Sequence, residues 1–191
     1  LRQRGAGAAR RAGSIGRAAG VSTASIRLFV ALWPDAAARA ALAARRDAVP
    51  WPAGTRPTPD DKLHITLHFI GSWPAAALPR LEEALSDVPP APRFELELET
   101  VAAWPNGLVV LLARHVPPPL AELHARLATA LQSLGIEIDR RRLRPHVTLA
   151  RHCPHRFDPP AFEPLRWPVR GFALVQSVPG SGYRNVRRYG G

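Results

Sequence analysis

Two hydrophobic periods alternate along this chain. Apolar residues at every second position mark strands, and apolar residues three and four apart mark helices. Arg27-Leu28-Phe29-Val30-Ala31-Leu32 is a short apolar run and predicts a central strand. Pro34 and Asp35 suit the first turn of a helix that continues through an Ala-rich stretch to about Asp47. Residues 50–61, rich in proline, predict a loop. Alternation returns from Leu63 to Ile70, and Gly71 is expected to end that strand. A helix is expected from Pro74 or Ala75 to Leu85, stopped by Pro89 and Pro90.

In the second half, Phe94, Leu96, Leu98 and Val101 predict one strand with Glu95, Glu97 and Glu99 on its wet face. Asn106-Gly107 predicts a hairpin turn into Leu108–Leu112. Leu120, Leu123, Leu127, Leu131 and Leu134 recur at helical spacing behind Pro117–Pro119, and Gly135 suits the C-terminal cap. Ile136 and Ile138 predict a short strand, and residues from about Pro145 to Arg151 another. Residues 154–168 read as a Pro-rich connection, followed by strands at Phe172–Val175 and Tyr183–Tyr189.

This order predicts an α+β fold: two lobes of mostly antiparallel sheet with outer helices, related by a pseudo-two-fold axis. The Leu63–Ile70 and Pro145–Arg151 strands would face each other across a central groove. One bilobal domain is expected over residues 26–191. Residues 1–25 are rich in Gly, Ala, Arg and Ser and predict a disordered basic extension. That stretch is read as a translated upstream extension rather than a transit peptide.

Charge narrows the partner. The formal net charge is +11, carried almost wholly by arginine, with Lys62 the only lysine. Part of this reflects an Arg-, Ala- and Pro-rich coding bias, but the excess favours a polyanion such as RNA. A lone cysteine, Cys153, excludes an internal disulfide framework and suits a reducing compartment, here taken as the cytoplasm. No apolar run reaches the roughly 18 residues that span a bilayer. A monomer without membrane contact is expected.

The chemistry concentrates in a phrase that occurs twice: His64-Ile65-Thr66-Leu67 and His146-Val147-Thr148-Leu149. Side chains two apart on a strand share a face. His64 and Thr66 are therefore expected on one face, opposite Leu63, Ile65, Leu67 and Phe69. His146 and Thr148 are expected together, opposite Val147 and Leu149. Two such pairs would offer a proton donor, a proton acceptor and two hydroxyl donors to one anionic centre.

Strict alternation also puts His68 on the groove side, where it is a candidate substrate contact, as is Phe29. His64 and His68 would lie roughly 13 Å apart, too far for one zinc ion. His152, Cys153 and His155 lack a second ligand pair and read as a loop, so no metal and no cofactor are expected. His124 reads as structural and His115 as an exposed loop residue. Arg151, three residues past Thr148, needs a twist or bulge to reach the groove, where its guanidinium would suit a phosphate. Arg140–Arg144 is a basic run that could steer RNA.

The paired motifs, with Arg27-Leu28-Phe29-Val30-Ala31, Gly71 and the closing Gly182-Tyr183-Arg184, resemble the two-histidine phosphoesterase superfamily. Within it, the chain is most similar to the RNA 2′,3′-cyclic phosphodiesterases, historically called 2′-5′ RNA ligases. The resemblance covers about residues 26–191. It implies a bilobal fold, no metal, and hydrolysis of an RNA 2′,3′-cyclic phosphate end to a 2′-phosphomonoester. It assigns His64 as proton donor and His146 as proton acceptor, with Thr66 and Thr148 on the phosphate, and it matches Arg151 to a basic residue often found after the second motif. Two rivals stand beside it. One is a phosphodiesterase for a small cyclic nucleotide or a 2′-5′ oligonucleotide. The other is a non-catalytic RNA-binding module.

Overall fold

A computed structural model describes residues 24–154, 157, 158 and 160–190 of the chain. The expected extension over residues 1–25 lies outside them except for Ala24 and Ser25. The chain enters β1 (Ser25–Leu32), whose Leu28, Val30 and Leu32 point into the main core. Phe29 and Ala31 point the other way, into a small second cluster with Ala173 and Val175. Both faces of this strand are thus buried, which is why its sequence is a continuous apolar run. Asp35 caps α1 (Ala36–Asp47) by accepting the Ala38 N–H at 2.9 Å. It stands just outside the first turn rather than within it.

Three sheets follow from strand order, and every recorded pairing is antiparallel. The first joins β10 (Gly182–Tyr189), β9 (Phe172–Val178), β1 and β3 (Ile65–Pro74), in that order. The second joins β2 (Arg56–Pro57), β7 (His146–Arg151), β6 (Leu108–Leu112) and β5 (Thr100–Trp104). A two-stranded sheet pairs β4 (Phe94–Leu98) with β8 (Leu165–Val169). Leu81 and Leu85 of α2 (Leu78–Ser86) pack into one core with Leu120, Leu123, Leu127 and Leu131 of α3 (Pro118–Ser133). That core also holds Leu63 and Ile65 from the first motif and Val147 and Leu149 from the second. Both motifs are therefore anchored in the same buried mass.

The architecture is the expected α+β one, with local departures. Gly71 does not end its strand: at φ +79° it lets the backbone bend, and β3 runs on to Pro74. The expected single strand through Phe94 and Val101 is two, broken at Glu99, and its halves enter different sheets. Ile136 and Ile138 form no strand; they pack on the core from an irregular segment. Residues 154–168 include the start of β8, whose Leu165, Trp167 and Val169 are buried in strict alternation. The hairpin turn is as expected, and tight. A Cβ on Gly107 would lie 2.9 Å from the Cys153 carbonyl oxygen, so the loop after the second motif needs glycine there.

Candidate active site

His64 and His146 are held in the same way. The His64 Nδ1–H donates to the carbonyl of Lys62, two residues back, at 2.7 Å. The His146 Nδ1–H donates to the carbonyl of Arg144, also two residues back, at 2.7 Å. A neutral ring bound through Nδ1–H presents its Nε2 lone pair away from its own backbone. The His64 Nε2 lies 3.1 Å from Thr66 Oγ1, so the threonine hydroxyl can donate to it.

Each motif also carries a one-residue bulge at its leucine. In the β1–β3 pairing, Thr66 lies opposite Ala31 and His68 opposite Val30, leaving Leu67 as the extra residue. In the β6–β7 pairing, Thr148 lies opposite Val110 and Ala150 opposite Val109, leaving Leu149 extra. One inserted residue reverses the side chains that follow, in β3 as far as the second irregularity at Ile70.

That reversal corrects two expectations. His68 turns into the core, only 4% exposed, and its Nε2–H donates to the His124 carbonyl at 2.9 Å. Phe69 takes the place expected of His68, on the face of His64 and Thr66, and is 71% exposed. In the second motif the same reversal brings Arg151 to the face of His146 and Thr148.

Aromatic rings enclose the first histidine. Trp33 stacks on His64 at 5.4 Å, Tyr183 meets it edge-on at 5.2 Å, and Phe29 lies 5.0 Å away. Phe29 is buried against the ring and offers no surface to a ligand, which corrects the expectation that it contacts substrate. Trp104 stands 4.6 Å from His146 and takes the Arg144 guanidinium 5.0 Å from its ring centroid.

These surroundings disfavour positive charge on either ring. Burial, opposed by the Lys62 carbonyl and joined by the charges of His146 and Arg151, lowers the His64 pKa to about 4. Burial likewise lowers that of His146, with the Arg144 charge acting in the same direction. His64 borders the first sheet, whereas His146 and Arg151 belong to the second. The fold thus brings these distant residues within electrostatic reach of His64.

Two further arginines were hidden in the sequence. Arg46, on α1 and 8% exposed, donates to the Thr58 carbonyl and to Asp60. The Thr58 N–H donates to the carbonyl of the bulged Leu149 at 2.8 Å. The helical turn Asp60–Lys62 then delivers the carbonyl that orients His64. One braced segment therefore touches both motifs. Arg56, on β2, pairs in register with Arg151. In a Pro-rich stretch it gave no strand signal, and only the pairing reveals its position.

The remaining candidates are scattered. In the 140–144 run, Arg141 is tied to Asp139 and Arg144 to Trp104. His115 is exposed, as expected. Cys153 is buried against Val109 and Ala150, His152 sits on the exposed loop, and His155 lies outside the described residues.

Comparisons with known proteins converge on one family. The profile of the 2′-5′ RNA ligase superfamily matches residues 33–179. An RNA 2′,3′-cyclic phosphodiesterase of Thermus thermophilus is 36% identical over 168 residues, 80% of this chain and 82% of that protein. An RNA 2′,3′-cyclic phosphodiesterase of Archaeoglobus fulgidus is 29% identical over 165 residues, 80% of this chain and 92% of its own length. The crystal structure of E. coli LigT complexed with 3′-AMP superposes with a TM-score of 0.76 at 28% identity, covering 87% of this chain and 98% of that one.

Proposed function

The chain belongs to the 2′-5′ RNA ligase superfamily, and from that premise we propose that it is an RNA 2′,3′-cyclic phosphodiesterase. In this reading the two motif faces flank one groove and act on one phosphorus. The observation that carries it is the electrostatic proximity of two imidazoles, one bordering the first sheet and one in the second, each tied through Nδ1–H, with the His64 Nε2 beside the Thr66 hydroxyl.

The reaction needs an activated water and a protonated leaving oxygen, in line through phosphorus. Neutral His146 takes a proton from water at Nε2 as the water oxygen bonds to phosphorus. The bond from phosphorus to O3′ breaks, and His64 gives its Nε2 proton to that oxygen. The products are a 2′-phosphomonoester and a 3′-hydroxyl, and solvent exchange resets the rings. Each transfer contributes about 10²- to 10⁴-fold. Thr66 and Thr148 donate hydrogen bonds to the non-bridging oxygens as charge builds there, and Arg151 adds a charge-assisted contact.

His64 is neutral in the free protein, so this role needs a cause for its protonation. The anionic phosphate is that cause, since a negative charge beside Nε2 favours the cation that burial disfavours. Phe69, exposed on the same face, is suited to stack on the terminal base. Run backwards, the same positions would join a cyclic phosphate to a 5′-hydroxyl, a weak 2′-5′ ligation. We assign this work to a monomer in the cytoplasm, consistent with the lone reduced cysteine. No helix among the described residues is long and apolar enough to cross a membrane.

The test is to incubate the protein with RNA ending in a 2′,3′-cyclic phosphate in excess EDTA and to locate the phosphate in the product. The reading expects a 2′-phosphate. A 3′-phosphate product, or no turnover, refutes it.

A further inference from the structure

We propose that Arg56, beside Arg151, forms a subsite for the phosphodiester preceding the reacting phosphate, so that the protein prefers an RNA oligonucleotide to a cyclic mononucleotide. This inference rests on the phosphodiesterase reading above and adds a residue and a substrate length to it.

The geometry comes from the β2–β7 register, in which Arg56 lies directly opposite Arg151. Directly opposed residues on antiparallel strands project from the same face. The bulge at Leu149 turns that face toward the side of His146 and Thr148. Arg56 therefore extends the candidate active-site face by one strand.

The electrostatics ask for an anion. Like charges directly opposed across two strands are destabilising. Both arginines are exposed, and among the described residues neither forms an ion pair with an acidic side chain. An oxyanion between or beside the two guanidiniums relieves that repulsion, and the planar fork of arginine matches phosphate oxygens.

The two arginines differ in position. Arg151 is near enough for its charge to act on His64. Arg56 stands on the edge strand, farther out in the sheet. Its backbone is nonetheless fixed. Two residues on, the Thr58 N–H is bound to Leu149, and the Thr58 carbonyl is bound to the buried guanidinium of Arg46. A cation fixed beyond the reacting phosphate has no partner in a mononucleotide, whose only phosphate is the cyclic one. In an oligonucleotide the preceding nucleotide brings the next phosphate to it.

The experiment compares the unaltered protein with Arg56→Ala and Arg56→Lys on 2′,3′-cyclic AMP and on a trinucleotide ending in a 2′,3′-cyclic phosphate. The ratio of kcat/KM for trinucleotide over mononucleotide is expected to fall about tenfold in Arg56→Ala, the scale of one charge-assisted hydrogen bond. Arg56→Lys is expected to recover most of it. The slope of log kcat/KM against log salt for the trinucleotide should become shallower by about 0.7 in Arg56→Ala. An unaltered ratio, or an equal loss on both substrates, overturns the proposal.

Binding supplies a readout independent of turnover. By calorimetry, Arg56→Ala should lose about tenfold in affinity for a trinucleotide ending in a 2′-phosphate and far less for 2′-AMP. Equal affinities overturn the subsite. If the unaltered protein shows that binding preference yet hydrolyses neither cyclic substrate, the phosphodiesterase reading falls and the Arg56 subsite stands.

Discussion

His68 and His124 stack with ring centroids 4.0 Å apart and tie β3 to α3. The His68 ring donates to the His124 carbonyl at 2.9 Å. Burial lowers both pKa values, that of His124 to about 4, with the charge of His68 acting in the same direction on His124.

Acid should therefore loosen the fold. The unfolded chain binds protons on these rings below about pH 6.5, whereas the folded one resists until lower pH. Their contribution to stability is complete above pH 6.5 and is lost as pH falls toward 4. His64 and His146, also shifted down, act in the same direction. The urea midpoint should drop between pH 7.5 and 5, and His124→Gln should flatten part of that slope. A midpoint constant over this range contradicts the buried neutral pair.

The rate should carry a related signature. Catalysis needs one proton on the His64–His146 pair, and both rings have lowered pKa values in the free protein. The kcat/KM profile, which reports the free protein, should therefore already be falling below pH 6.5, the ordinary imidazole value, and keep falling as pH rises. The His64 imidazole resonances should titrate near pH 4 alone, and at higher pH with inorganic phosphate bound. Titration of His64 at an unshifted pH in both states would remove the role given to burial.

Arg46 should matter for both stability and turnover. Arg46→Met orphans the Thr58 carbonyl, a loss of about 1–3 kcal/mol. It also frees the segment whose Lys62 carbonyl orients His64, so kcat should fall more than KM rises. Urea denaturation and steady-state kinetics on the same preparation separate the two effects. A variant with lowered stability and unchanged kcat would confine Arg46 to the fold.

Phe69 should behave oppositely. It is exposed, so Phe69→Ala should change stability by less than about 0.5 kcal/mol. If the base stacks there, affinity for a nucleotide product should fall by about 1–3 kcal/mol. Titration of 2′-AMP against both proteins checks this, and equal affinities would show the ring idle.

The main outline was legible because period and composition agree over most of the chain. The leucine repeat of α3 and the alternation of β7 need no tertiary information. The bulges at Leu67 and Leu149 were illegible, because nothing in His-x-Thr-Leu itself says that the pairing partner will skip a residue. That skip moved His68 inward and Phe69 outward. It also brought Arg151 to the histidine face, for which a bulge had been the stated condition. β8 was masked by Pro164 and Pro168, although Leu165, Trp167 and Val169 alternate. A two-stranded sheet leaves one edge of β8 free, so proline is tolerated there. The role of Arg46 had no sequence signal, because its burial comes from a loop that folds back from twelve residues away.

The central claim is that two imidazoles serve one phosphorus atom. It is tested most directly by the single-turnover rates of His64→Ala and His146→Ala on a 2′,3′-cyclic-phosphate RNA, with folding verified by circular dichroism. Each substitution should slow the reaction by at least about 10²-fold while leaving the spectrum unchanged. A folded variant of either kind that retains a rate within tenfold of the unaltered protein would contradict the account.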